Sequence, residues 1–155
     1  MGTRQANIKN TGNKAALRKR RVKTILIIED DVDIQNFVSR VLELEGYLVL
    51  KAGDGKTGME IIRENNIALV LLDLRLPGPD GWSILRGMKR DPELAKIPIV
   101  VLTAIAESVQ RRRTLRMGAA QYLIKPVSAH SLSQSIADIL HQKGNRYQTV
   151  RRSAA

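Results

Sequence analysis

From Thr24 onward the chain alternates short apolar runs with segments whose apolar residues recur at helical spacing. Thr24 to Ile28 is a β-branched run suited to a strand, and Ile34, Phe37, Val38, Val41 and Leu42 then share one stripe of a 3.6-residue period that ends before Gly46. The same pairing recurs with Leu48 to Leu50 before Ile61 and Ile62, and with Ala68 to Leu72 before Ile84, Leu85 and Met88. Ile99 to Leu102 and Tyr122 to Ile124 are two further runs, the second followed by Leu132, Ile136, Ile139 and Leu140. Over 105 to 117 the stripe is interrupted by Arg111, Arg112 and Arg113, but a crossover between parallel strands needs about a dozen residues, so a helix is expected there too. Unbroken apolar runs, rather than alternating ones, predict strands buried on both faces. Five such strands in strict alternation with five helices make a doubly wound α/β sandwich around a parallel sheet. The expected order is 2-1-3-4-5, with a crevice at the carboxyl ends of the first and third strands.

Charge sharpens the picture mainly by where it lies. The 155 residues carry a formal +11, yet residues 1 to 23 hold eight basic residues and no acid, and 141 to 155 add Lys143, Arg146, Arg151 and Arg152 without an acid. The segment 24 to 140 is close to neutral. Both ends are poor in large apolar residues, so ordering them would be opposed by chain entropy, and residues 1–22 and 143–155 are expected to be basic, disordered tails around a domain spanning 23–142. The absence of Cys excludes disulfide scaffolds and thiolate metal sites. With neither an apolar run of membrane-spanning length nor a signal peptide, no membrane insertion is expected and the cytoplasm is the expected location.

Candidate chemistry gathers where the strands end. Glu29, Asp30 and Asp31 follow the first strand, Asp73 the third, Thr103 the fourth and Lys125 the fifth. Carboxylates brought into one crevice must be protonated in part or share a cation. An oxygen-only donor set with room for water suits Mg²⁺ better than Ca²⁺. Lys125 and Thr103 offer a point charge and a hydroxyl to phosphoryl oxygens, which makes Asp73 the candidate nucleophile of an acyl phosphate.

The acidic pair in "ILIIEDD", the loop "LLDLRLPGPDG", "VVLTA" and "YLIKP" together resemble the receiver domain of bacterial two-component response regulators, over about three quarters of the chain. The resemblance implies a flavodoxin-like (βα)5 fold, with Asp73 as phosphoryl acceptor and Asp30 as direct Mg²⁺ ligand. It also implies that Glu29 holds the metal through water and that Arg75 donates its backbone carbonyl. Thr103 corresponds to the switch hydroxyl, Lys125 to the phosphate-binding lysine, and Tyr122 to the aromatic whose rotamer reports the active state. A cis bond before Pro126 is implied as well. The implied partners are a sensor histidine kinase or phosphotransfer protein as donor, and a downstream protein or second receiver, as a homodimer, on the face of helix 4, strand 5 and helix 5. Arg111, Arg112, Arg113 and Arg116 would lie on that face, and their charge suits either a solvated helix surface or pairing with acids of a partner.

Plainer roles fit several neighbours of these residues. Asp31 and Asp33 suit helix capping, Trp82 suits either the rim of the loop after Asp73 or packing, and His130 and His141 suit exposed helix positions. The stretch "GDGKTG" lacks a phosphate-loop glycine, because Leu50 stands five residues before Gly55; a turn with Gly55 at positive φ is expected. A phosphohydrolase that uses an acid two residues after its nucleophile is disfavoured by Arg75, so no turnover enzyme is expected. The expected function is a phosphoryl-accepting switch of a phosphorelay that signals through protein contacts, as a stand-alone receiver or a receiver cut from a longer hybrid. The alternative is nucleic-acid binding through the basic tails, with the receiver as a regulatory or scaffold module.

Overall fold

The structure, a computed structural model, describes residues 21–152, with side chains as far as His141. Most of the N-terminal basic segment, residues 1–20, lies outside the described residues. The elements run β1 (Thr24–Ile28), α1 (Val32–Leu44), β2 (Leu48–Ala52), α2 (Gly55–Glu64), β3 (Leu69–Leu72), α3 (Gly81–Arg90), β4 (Ile99–Thr103), α4 (Ser108–Arg116), β5 (Gln121–Ile124) and α5 (Ala129–Arg152). All strand pairs are parallel and the sheet order is β2-β1-β3-β4-β5, as the pattern predicts.

Within the apolar runs the two-residue alternation survives as a division of labour. Ile25, Ile27, Leu69, Leu71, Val100 and Leu102 point into one layer with Val38, Leu42, Leu132 and Ile136 of α1 and α5. Leu26, Ile28, Val70, Leu72, Ile99 and Val101 point into the other, with Ile62, Ile84, Leu85 and Met88 of α2 and α3. Each fully buried side chain of this size contributes about 2 kcal/mol of apolar transfer, which explains why β3 holds no polar residue and β1 and β4 hold one only at an end, Thr24 and Thr103. Asp31, Asp54 and Asp80 cap α1, α2 and α3 by accepting backbone N–H bonds, so the Asp31 reading holds.

Three expectations are corrected. Gly55 is the first residue of α2 and is not among the positive-φ glycines, which are Gly46, Gly78 and Gly118. It is needed for space: a Cβ there would lie 2.3 Å from Ile84 Cδ1. The fourth helix starts at Ser108 rather than 105, because Ile105 is buried in the core as part of the loop. The last helix is continuous to Arg152, so the boundary expected after 142 falls inside α5, whose polar second half carries no apolar stripe by which the sequence could announce it.

Candidate functional site

The chemistry-bearing residues continue the sheet's own hydrogen-bond ladder. Asp73 N–H donates to the Ile28 carbonyl at 3.0 Å, Glu29 N–H to Ala52 at 3.0 Å, and Lys125 N–H to Thr103 at 2.9 Å. Their positions are therefore set by strand register rather than by loop packing. The Gln35 amide of α1 donates to the carbonyls of Glu29 (3.1 Å) and Ala52 (3.2 Å), tying the ends of β1 and β2 together. Gln35 escaped the sequence reading because a polar residue off the helix stripe looks solvent-facing.

Lys125 Nζ reaches both buried acids, Glu29 Oε2 at 2.5 Å and Asp73 Oδ2 at 2.9 Å. The remaining oxygens accept backbone amides, Glu29 Oε1 from Asp31 at 3.0 Å and Asp73 Oδ1 from Arg75 at 3.1 Å. Asp30 is exposed on the solvent side, and one carboxylate oxygen each from Glu29, Asp30 and Asp73 lies within 4.8 Å of the other two. Three acids against one lysine leave an excess of negative charge, and an all-oxygen set open to water on one side fits a hard divalent cation. The Arg75 side chain is exposed and points to no partner in this cluster.

Burial pushes the Glu29 carboxyl above its ordinary 4.5, and the Lys125 and Asp31 hydrogen bonds only partly offset it. The folded chain thus holds that proton more tightly than the unfolded one, so ionising Glu29 costs stability as pH rises through its folded pKa. Glu29→Gln is expected to raise the melting temperature of the metal-free protein at neutral pH. The gain should fade below the usual carboxylate range, where the parent is itself protonated; melts at both pH values check this, and a loss at neutral pH would contradict it. Burial pulls the Lys125 ammonium down, but its bonds to Glu29 and Asp73 outweigh this and hold it above its ordinary 10.5. Its stabilising charge is therefore complete at neutral pH and lost only as pH rises through that raised value.

Thr103 is fully buried at the end of β4 and its Oγ1 accepts the Ile105 N–H at 3.4 Å. The Ile105 carbonyl in turn accepts the Tyr122 hydroxyl at 2.7 Å, with the ring buried. Tyr122 is thus turned inward and joined to Thr103 through one residue, a link that no sequence spacing reveals. Lys125–Pro126 is cis, as expected. Trp82 is half-buried against the core and donates its indole N–H to Thr114 Oγ1 at 3.2 Å, which confirms packing as its role. Arg111, Arg112, Arg113 and Arg116 are exposed on α4, and His130 and His141 are exposed on α5.

Gly81 closes the loop "LLDLRLPGPDG" against its own start because it carries no side chain. A Cβ at 81 would lie 2.3 Å from the Asp73 carbonyl oxygen and 2.6 Å from Leu74 Cα, both backbone atoms that cannot rotate away. At Gly58 the nearest atom, 2.5 Å away, is the Cδ1 tip of Ile28. Gly81→Ala is expected to destabilise by about 2 kcal/mol and Gly58→Ala by about 1 kcal/mol, measured by urea unfolding. Equal costs would contradict the backbone contact.

Residues 25–137 match the response regulator receiver domain family. The chain belongs to that family. This receiver domain is 35% identical over 122 residues to the phosphate regulon transcriptional regulatory protein PhoB of Pseudomonas aeruginosa, covering 79% of this chain and 53% of PhoB. It is 33% identical over 129 residues to the DNA-binding dual master transcriptional regulator RpaA of Synechocystis, covering 83% of this chain and 54% of RpaA. The chain therefore spans about half the length of these curated relatives. Among solved structures it resembles a putative response regulator from Chloroflexus aurantiacus, with TM-score 0.75, 29% identity and coverage of 78% and 99% of the two chains. A CheY-like receiver from Methanospirillum hungatei gives TM-score 0.75 at 28% identity, covering 81% of this chain and 98% of that one. Among the described residues no helix is long and apolar enough to cross a membrane.

Proposed function

We propose that this receiver domain is a phosphoryl-accepting switch in which Asp73 takes a phosphoryl group from a donor phosphohistidine. The observation that carries the reading is Lys125 bridging Asp73 and Glu29 at the open edge of the sheet. A buried carboxylate held by one amide and one ammonium is oriented for in-line attack, and such transfers depend chiefly on positioning and charge neutralisation. An Asp73 oxygen forms the new bond to phosphorus, the donor's phosphorus–nitrogen bond breaks, and its electron pair leaves with the imidazole. The product is a mixed anhydride, whose phosphoryl oxygens Lys125 and the Thr103 hydroxyl would bind.

Asp30, Asp73 and the Arg75 carbonyl would hold Mg²⁺, with Glu29 acting through water. When bound, the ion would neutralise charge on the transferring group. Inward movement of Thr103 towards that group would pull on Ile105 and hence on Tyr122, biasing the loop that enters α4. An apolar recess of about 480 Å³, bordered by Ile34, Phe37, Leu102, Pro126 and Val127, opens beside Lys125 and supports a protein as donor. Partners of the switched state would meet α4, β5 and α5.

Incubation with acetyl phosphate and Mg²⁺, followed by intact mass measurement, tests the reading. One phosphoryl adduct that needs the metal is expected, and no adduct, or one unaffected by a chelator, would overturn it.

A further inference from the structure

We propose that the groove between α3 and α4 is a contact surface for the phosphate backbone of nucleic acid. Arg86, Lys89 and Arg90 of α3 and Arg113 of α4 line one groove of about 410 Å³, and Arg112 and Arg116 border the adjoining surface. Lys89 Nζ is held by the carbonyls of Ala95 (3.2 Å) and Ile97 (3.2 Å), which fixes its charge at the groove wall. Arg86, Arg90, Arg112, Arg113 and Arg116 are exposed and make no ion pair among the described residues. The Trp82–Thr114 hydrogen bond crosses from α3 to α4 and holds the two basic rows in one register.

Structural need does not account for this arrangement. A helix that only covers a sheet buries an apolar stripe, yet Thr114 is the sole buried residue of α4. Like charges gathered without interleaved acids repel one another, so the groove is destabilised until an anion enters it. A second copy using its own α4–β5–α5 face could not supply that anion, because Asp138 is the only acid from 108 to 141 and it already accepts from Gln134 at 2.9 Å. The surplus extends beyond the groove: both terminal segments are basic without acids and the chain totals +11. A charge excess spread this widely suits a polymer of continuous negative charge better than a short acidic peptide, and arginine suits phosphate oxygens through paired N–H donors. This inference does not depend on phosphoryl transfer at Asp73.

The test is fluorescence anisotropy of a labelled DNA duplex of random sequence with the full chain across a salt series. Arg86→Gln/Arg90→Gln/Arg113→Gln is compared with an equal charge loss elsewhere, Arg40→Gln/Lys56→Gln/Arg63→Gln. The groove variant is expected to reduce the slope of log K against log salt by about 3, since each phosphate contact contributes about 0.9, while the control changes it by less than about 1. Equal reductions in the two variants, or no duplex binding by the parent at low salt, would overturn the proposal. So would displacement of the duplex by poly-glutamate at equal or lower charge concentration, which would assign the groove to an acidic protein. A third variant, Arg18→Gln/Lys19→Gln/Arg20→Gln/Arg21→Gln, is expected to weaken binding yet keep the groove's contribution to the slope; a slope reduced to zero would overturn the proposal in favour of the N-terminal segment alone.

Discussion

Asp73→Asn is expected to abolish phosphoryl uptake completely while leaving the fold at least as stable as the parent. The amide keeps the shape of the carboxylate, and its single oxygen accepts either the Arg75 N–H, now 3.1 Å from Oδ1, or the Lys125 ammonium, now 2.9 Å from Oδ2, while Lys125 keeps its bond to Glu29. It lacks the anionic oxygen that forms the bond to phosphorus in the proposed transfer, and no neighbouring group is expected to restore the reaction. Stability should hold or rise because the substitution removes one negative charge from a cluster in which Glu29, Asp30 and Asp73 share the single ammonium of Lys125. Intact mass after acetyl phosphate treatment reads the first effect and thermal melting without metal reads the second. Residual adduct at the parent's level would mean that another group accepts the phosphoryl.

Lys125→Met is expected to act in the opposite sense on stability. The methionine preserves much of the aliphatic stem but leaves Glu29 and Asp73, 3% and 6% exposed, without a counter-charge. Breaking a buried pair from one side costs about 3–5 kcal/mol, and the opening to solvent beside Asp30 places this site near the lower end, about 3 kcal/mol. Saturating Mg²⁺ should recover much of that loss, since a cation bound only by the folded state at about a hundred times its dissociation constant stabilises by about 2.7 kcal/mol. Denaturant titrations with and without Mg²⁺ measure both quantities. A variant as stable as the parent without metal would show that Lys125 does not neutralise the two acids.

The strand cores were legible because only a two-sided burial requirement produces runs such as Thr24–Ile28 and Leu69–Leu72 in a chain of ordinary composition. The site acids were legible for the same reason: Glu29 and Asp73 interrupt those runs where a buried strand must end. What stayed hidden was contact across strands. Nothing in the spacing of Thr103, Ile105 and Tyr122 shows that one backbone residue joins the two side chains. Equally, the closeness of Gly81 to the Asp73 carbonyl depends on how the loop folds back, not on local propensity. Gly55 misled because a glycine next to aspartate at a strand end fits a turn as well as a close helix packing, and only Ile84 decides between them. The polar end of α5 misled in turn, since chain composition argued against order where the helix in fact runs on to Arg152.

The most direct measurement of acceptor chemistry at Asp73 is borohydride reduction of the phosphorylated chain followed by peptide mapping. An acyl phosphate is reduced to a primary alcohol, whereas free carboxylates are untouched, so the modified residue marks the acceptor. Reduction confined to position 73, and absent when Mg²⁺ is chelated before the phosphodonor is added, is the expected result. Reduction at Asp30 or Glu29, or an adduct that survives mapping with no reduced residue, would contradict it.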